Sequence, residues 1–185
     1  MQDYHQIVGD ILIDEDTLKN RINELGAQIS HDYQGHDLHL VCILRGGVVF
    51  LADLMRTITI PHTLDFMAIS SYGVGTRKST GQIRITMDLI TAIQDRDVLL
   101  VEDIIDSGYT LKATLELLKA RHPKSLHVCV LLDKAERREV EVPLRYCGFV
   151  IPDKYIFGYG LDIDEYYRNL PFIATLAPDH YEPPE

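Results

Sequence analysis

Asp97-Val98-Leu99-Leu100-Val101-Glu102-Asp103-Ile104-Ile105-Asp106-Ser107-Gly108-Tyr109-Thr110-Leu111 is the stretch on which the fold turns. Its first half is a run of β-branched and aliphatic residues, the pattern of a strand buried on both faces of a parallel sheet. Two adjacent carboxylates, Glu102 and Asp103, stand near its end, and the polar turn Asp106-Ser107-Gly108 follows. Leu111, Leu115 and Leu118 then recur at helical spacing. Strand, turn and helix N-terminus make an anion cradle, because free backbone amides and the helix dipole both favour negative charge there. Ser107 and Thr110 add hydroxyl donors, and Gly108 lets the backbone approach a ligand closely.

A phosphate does not sit comfortably beside Glu102, Asp103 and Asp106 unless hydroxyls or a cation lie between. A ribose diol donates hydrogen bonds to carboxylates, and Mg²⁺ bridges carboxylate to phosphate. The stretch therefore reads as the seat of a phosphorylated sugar, with phosphate on the loop and hydroxyls and metal on the acids. The plainer alternative is an acidic helix cap behind an ordinary strand. Three acids, two hydroxyls and a glycine within nine residues weigh against it, since α/β ligand sites lie at the carboxyl ends of strands.

The chain around this stretch has 185 residues, enough for one domain with a substantial core. Apolar residues make up 46%, and no apolar run reaches the length of a transmembrane span. The formal charge of −10 excludes the basic face that nonspecific nucleic-acid binding needs. Cys42, Cys129 and Cys147 are odd in number and lie in or beside apolar strands, as reduced core residues do. Met1-Gln2-Asp3-Tyr4-His5 lacks the basic start of a secretory leader, so a cytoplasmic location is expected. His36 and His39 flank a loop-to-strand junction and are expected at the solvated surface.

Upstream, Asp14-Glu15-Asp16 opens a helix whose Leu18, Ile22, Leu25 and Ile29 share one face, ending near Tyr33-Gln34-Gly35. Leu38 to Leu44 is a second buried strand, running into Arg45-Gly46-Gly47 and a nearly all-apolar helix over Val48 to Met55. A base and two glycines between strand and helix form a second anion site, or else a tight turn that happens to hold an arginine. The helix beyond is apolar enough to pack on the sheet and at a subunit interface. Leu64, Phe66 and Ala68 alternate along a third strand. From Ser71 and Tyr72 to Gln82, three glycines and two bases predict a mobile tip, and Ile83, Ile85 and Met87 alternate beyond it. Residues 70–88 thus read as a β-arm lid that excludes water. Gly73 to Ser79 imitates a phosphate-binding P-loop, but Arg77 replaces the required glycine and no helix follows.

Downstream, Lys119, Arg121 and His122 sit in the last turn of the central helix and Pro123 stops it. Leu126 to Leu132 is another buried strand, and Lys134 lies two residues past it at the edge that carries the phosphate loops. A solvated surface lysine is the commoner fate. Glu136-Arg137-Arg138-Glu139 reads as a solvated mixed-charge segment. Tyr146 to Asp162 reads as two short strands joined by a Pro152-Asp153 turn, with Tyr155 and Ile156 core residues by composition. Residues 177–185 form an acidic, proline-rich tail expected to fray.

The strand running into Glu102-Asp103-Ile104-Ile105-Asp106-Ser107-Gly108-Tyr109-Thr110 closely resembles the phosphoribosyl-pyrophosphate (PRPP) motif of purine phosphoribosyltransferases. The likeness covers almost the whole chain and is nearest to the 6-oxopurine, hypoxanthine-guanine type. It implies the type I phosphoribosyltransferase fold: a single α/β domain over 1–185 with a mainly parallel sheet flanked by helices, a small hood from both chain ends, and the mobile arm. It implies that Leu44-Arg45-Gly46-Gly47 binds pyrophosphate across a cis peptide between Leu44 and Arg45, and that Arg168 contacts the same group. Ser71 and Tyr72 correspond to a Ser-Tyr pair on the closing loop. Lys134 would donate to the purine 6-oxo group, Tyr155 would stack on the base, and Ile156 would offer backbone groups to its edge. Asp162 would serve a second metal position.

On this resemblance, the chain moves 5-phosphoribosyl from PRPP to N9 of hypoxanthine or guanine, releasing pyrophosphate, with Mg²⁺ on Glu102, Asp103 and Asp162. Residues 106–110 hold the 5-phosphate, Glu102 and Asp103 the ribose hydroxyls, and Asp106 acts as general base. A homodimer or homotetramer is expected, with no nucleic-acid or membrane partner. Two other readings stand: a PRPP-binding, RNA-interacting regulator, and an enzyme for another base. A donor-only ammonium at Lys134 disfavours adenine but leaves xanthine open.

Overall fold

A computed structural model of the chain describes residues 7–71 and 83–177. Tyr72 and the arm tip, with the first six and last eight residues, lie outside the described residues. Six strands form one sheet in the order β4-β3-β2-β5-β6-β7: β2 Leu38–Leu44, β3 His62–Ser71, β4 Ile83–Met87, β5 Asp97–Ile105, β6 Ser125–Asp133 and β7 Tyr146–Val150. All neighbours are parallel except β3 and β4, which pair antiparallel as the two sides of the arm. A second sheet joins both chain ends: β1 Val8–Ile13 pairs with β9 Ile173–Leu176, which pairs with β8 Ile156–Phe157.

The central strands are apolar on both faces because both are covered. Leu40, Cys42, Leu99, Val101, Cys129 and Leu131 pack toward helices α1 (Glu15–Asp32) and α2 (Gly47–Thr57). Val41, Ile43, Val98, Leu100, Val128 and Val130 pack on the other side, where α3 (Tyr109–Lys119) lays down Leu111, Leu115 and Leu118. Helix α1 starts where its capping group is: the Asp14 carboxylate accepts from the Thr17 amide at 2.7 Å. Among the described residues, no helix is long and apolar enough to cross a membrane.

Strand order decides where ligands go. From β2 the chain passes through α2 to β3 on one side, and from the adjacent β5 through α3 to β6 on the other. Neighbouring connections that diverge leave a crevice at the carboxyl ends of those two strands. Cys42 pairs with Val101 and Ile105 with Asp133, so residues 45–47, 106–108 and 134–138 all emerge at that edge.

Two expectations need correction. His39 is buried, not solvated: its Nδ1 lies 2.8 Å from Thr63 Oγ1 and 3.1 Å from Arg96 Nη1, and burial lowers its proton affinity. His36 is exposed, as expected, and its Nδ1 lies 3.0 Å from the buried Asp97. The strands around Pro152 do not pair with each other. β7 extends the large sheet and β8 joins the hood, so the Pro-Asp turn carries the chain between sheets.

Candidate active site

β5 ends in the loop 106–108, and Gly108 takes φ 91°, a left-handed conformation that caps α3 from outside. The first turn of α3 contains no acid, so no carboxylate of the helix itself competes with an anion at its N-terminus. Ser107, Gly108, Tyr109 and Thr110, the candidates for a phosphate cradle, lie together at this junction.

The adjacent acids divide. Asp103 shares the face of Leu99 and Val101 and turns toward the β2 loop, where a Cβ on Gly46 would fall 1.6 Å from its Oδ2. Only glycine fits at 46. Burial raises the Asp103 carboxyl to about 6, against the opposing pull of the Ile104 amide, 2.8 Å from Oδ1, and of Arg168. Glu102 shares the face of Val98 and Leu100. The residue is only partly covered, yet its Oε2 is buried without a hydrogen bond. Burial, then the neighbouring Asp103 charge, raises Glu102 well above the ordinary carboxylate range. A carboxylate in that state asks for a donor or a cation.

The β2 loop follows a cis peptide between Leu44 and Arg45. Arg45 reaches the far segment 158–168, where its Nη2 meets Glu165 Oε1 at 2.5 Å. Arg168 is held by Gly160 O at 2.7 Å, Asp162 Oδ1 at 2.8 Å and Glu165 Oε2 at 3.1 Å. The pyrophosphate candidates Arg45, Gly46, Gly47 and Arg168 are thus brought to one place.

Lys134 is 7% exposed, a rare state for a lysine. Burial lowers its proton affinity, while Asp106 and Asp153 pull the other way. Its ammonium lies 3.8 Å from Asp153 Oδ1, an ion-pair distance too long for a hydrogen bond. Tyr155 is 39% exposed and Ile156 is buried at the start of β8, so the tyrosine offers an accessible ring. Ser71 closes β3 at the base of the arm.

The segment 135–139 is more than a solvated run. A 3₁₀ turn over Ala135–Arg137 brings Arg137 Nε to 3.2 Å from Asp106 Oδ1. The Asp106 Oδ1 atom is buried and makes no well-aligned hydrogen bond. Arg138 pairs with Asp133, donates to Asp106 O at 3.1 Å, and is followed by the Glu139 amide donating to Ser107 O at 3.0 Å. Arg137, Arg138, Asp153 and Glu165 are the residues that sequence reasoning missed. For the two arginines the signal was position, three and four residues after Lys134 at a strand's carboxyl end.

Glu102, Asp103 and Asp162 feel one another's charge: burial apart, Asp103 raises the proton affinity of Glu102, and Asp162 that of Asp103. Among the described residues, no three acid, histidine or cysteine groups are placed to cage a metal. Asp103 is packed against Gly46, and Asp162 is engaged by Arg168 and by the Glu165 amide at 2.9 Å. The orphaned Glu102 oxygen does suit Mg²⁺ of the kind held by one or two carboxylates, water and substrate phosphates.

Residues 10–165 match the phosphoribosyl transferase domain family. The hypoxanthine-guanine phosphoribosyltransferase of Dictyostelium discoideum is 51% identical over 177 residues, covering 94% of this chain and 98% of that one. A Staphylococcus aureus enzyme of the same name is 45% identical over 96% of this chain and 98% of its own. A crystal structure of a hypoxanthine phosphoribosyltransferase from Staphylococcus aureus superposes with a TM-score of 0.94 at 43% identity, covering 99% of this chain and all of that one. With its crevice at the β2–β5 divide and its PRPP motif on β5, the chain belongs to the hypoxanthine-guanine phosphoribosyltransferase family.

Proposed function

We infer that the protein joins C1 of a 5-phosphoribosyl group to N9 of hypoxanthine or guanine, breaking the bond from C1 to pyrophosphate of PRPP. The nucleotide product is IMP or GMP, a purine-salvage reaction. The observation that carries the base specificity is Lys134: a buried ammonium at the site edge has donors and no acceptor, so it suits a 6-oxo group and refuses a 6-amino group. Tyr155 supplies a stacking face, and the backbone at Ile156 lies beside it.

The loop 106–110 takes the 5-phosphate on amides and hydroxyls. Glu102 and Asp103 take the ribose hydroxyls from opposite sides of β5. Arg45, Gly46, Gly47 and Arg168 receive the pyrophosphate. Asp106 accepts the proton released from the base nitrogens. Mg²⁺, when bound, would neutralise the leaving pyrophosphate, and Glu102, Asp103 and Asp162 are the residues that would hold it. Ser71 ends β3 at the base of the arm. We place the protein in the cytoplasm as a homodimer or homotetramer; Val48 on α2 and Leu64 on β3, 40% and 38% exposed, give it apolar surface for association.

A spectrophotometric assay with PRPP and Mg²⁺ against hypoxanthine, guanine, xanthine and adenine in parallel tests this. Turnover of the first two and none of adenine is expected. Preference for xanthine would move the protein to a neighbouring specificity. Turnover of adenine would remove the role of Lys134, and RNA binding without turnover would favour the regulator.

A further inference from the structure

The two arginines of the pyrophosphate seat are not free; they share one carboxylate. Glu165 Oε1 meets Arg45 Nη2 at 2.5 Å and Oε2 meets Arg168 Nη2 at 3.1 Å. The three side chains come from places 120 residues apart in sequence, so the contact spans the mouth of the crevice. Arg168 does not depend on it, because Gly160 O and Asp162 hold the same guanidinium at 2.7 and 2.8 Å. The Arg45–Glu165 pair is open to water, with side chains 69% and 56% exposed. Such a pair is weak and exchanges readily.

We propose that Glu165 is an internal counter-ion that occupies the pyrophosphate seat and is displaced when pyrophosphate or the pyrophosphoryl end of PRPP arrives. The proposal rests on the reading of Arg45 and Arg168 as that seat. A carboxylate brings one negative charge to two guanidinium groups, and a pyrophosphate brings several with more oxygens in bidentate geometry. The stronger anion wins the exchange, while a single weak anion such as chloride gains little by it. Glu165 is also held ready to return: its own amide donates to Asp162 Oδ2 at 2.9 Å, so its backbone stays beside the arginines while its side chain swings. Its charge therefore loosens pyrophosphate and hastens the release of product.

A merely structural role predicts the opposite sign. If Glu165 only pinned the β2 loop to the 158–168 segment, removing its charge would loosen Arg45 and weaken pyrophosphate binding. The test is calorimetric titration of the full-length protein with pyrophosphate, with and without Mg²⁺, for the wild type, Glu165→Gln, Glu165→Asn and Arg45→Met. Glutamine keeps the shape and loses the charge; asparagine tolerates the left-handed backbone found here, φ 72°. Removing one exposed competitor is expected to tighten pyrophosphate about three- to fivefold in both Glu165 variants, a gain that partial unfolding cannot produce. Unchanged or weaker binding in both, with loss in Arg45→Met, overturns the counter-ion and leaves the seat standing. If Arg45→Met also binds as the wild type does, the seat itself is misplaced and the proposal falls with it.

Discussion

Lys134→Met separates a lysine kept for its ligand from one kept for the fold. The side chain is 9% exposed and its ammonium lies 3.8 Å from Asp153 Oδ1. Burial is the largest influence on it and acts against the charged form. An ammonium in that state costs the folded protein free energy unless an acceptor reaches it. Methionine fills similar volume without the charge, so the melting temperature of Lys134→Met is expected at or above that of the wild type. Binding responds in the other direction. A hydrogen bond to a charged donor contributes about 1.5–3 kcal/mol, so the KM for hypoxanthine rises roughly 10- to 150-fold. The KM for PRPP moves far less, because the cradle at 106–110 and the arginines are untouched. Thermal unfolding followed by circular dichroism, and initial rates with each substrate varied in turn, supply both readouts. A melting temperature several degrees lower, or equal losses for hypoxanthine and PRPP, would refute the assignment.

Other positions answer to the same reasoning. Asp106→Asn should lower kcat about 100-fold or more, the lower range for a lost general base, with little change in the KM for PRPP; unchanged turnover would remove that role. Gly46→Ala should cost more than the roughly 1–3 kcal/mol of ordinary overpacking, because the new methyl falls 1.6 Å from Asp103 Oδ2; Gly46→Ala with Asp103→Ala should recover stability in a double-mutant cycle, though not activity. Arg138→Met leaves Asp133 without its partner in a pair only 17% and 15% exposed, and should cost about 3 kcal/mol in urea unfolding. Burial alone would raise Asp97, but hydrogen bonds from Lys124, Ser125 and His36 outweigh it and hold the carboxyl at about 2 instead of 3.8. That difference of nearly two pH units corresponds to roughly 2 kcal/mol, present above pH 3.8 and lost as pH falls toward 2. Asp97→Asn should remove that part of the acid dependence, measured by urea unfolding at stepped pH.

What could be read without coordinates followed from period and punctuation. Residues 38–44, 97–105 and 125–133 are continuous apolar runs because helices cover both faces of their sheet, and such runs announce themselves. The strand–turn–helix junction at 97–119 was legible for the same reason: acids, hydroxyls and glycine cluster where strand gives way to helix. Three kinds of feature were hidden. His39 looked like a surface residue because nothing in the local sequence tells that Thr63 and Arg96, on other strands and loops, would enclose it. Arg137 and Arg138 looked solvated because charged runs usually are; only the register of β6 against β5 puts them under the phosphate loop. How Glu102, Asp103 and Asp162 divide their work was hidden because neighbouring strand residues point to opposite faces, and the arginine that engages Asp162 comes from six residues further along the chain.

The pairing of charge at the site bears on the whole molecule. Each basic group at the carboxyl edge faces an acid: Arg45 meets Glu165, Arg168 meets Asp162, Arg137 meets Asp106, and Lys134 faces Asp153. A formal charge of −10 repels polyanions at a distance, and among the described residues these four basic side chains at the edge each face an acid. A small, highly charged anion with a sugar and a chelated cation meets a different surface. On the proposed function, it enters the crevice and exchanges with these carboxylates, and the buried oxygen of Glu102 that lacks a hydrogen bond is there for its hydroxyls or its cation. On that reading the acids are part of the affinity for a phosphorylated sugar, which is why a phosphate site can be built among so many carboxylates.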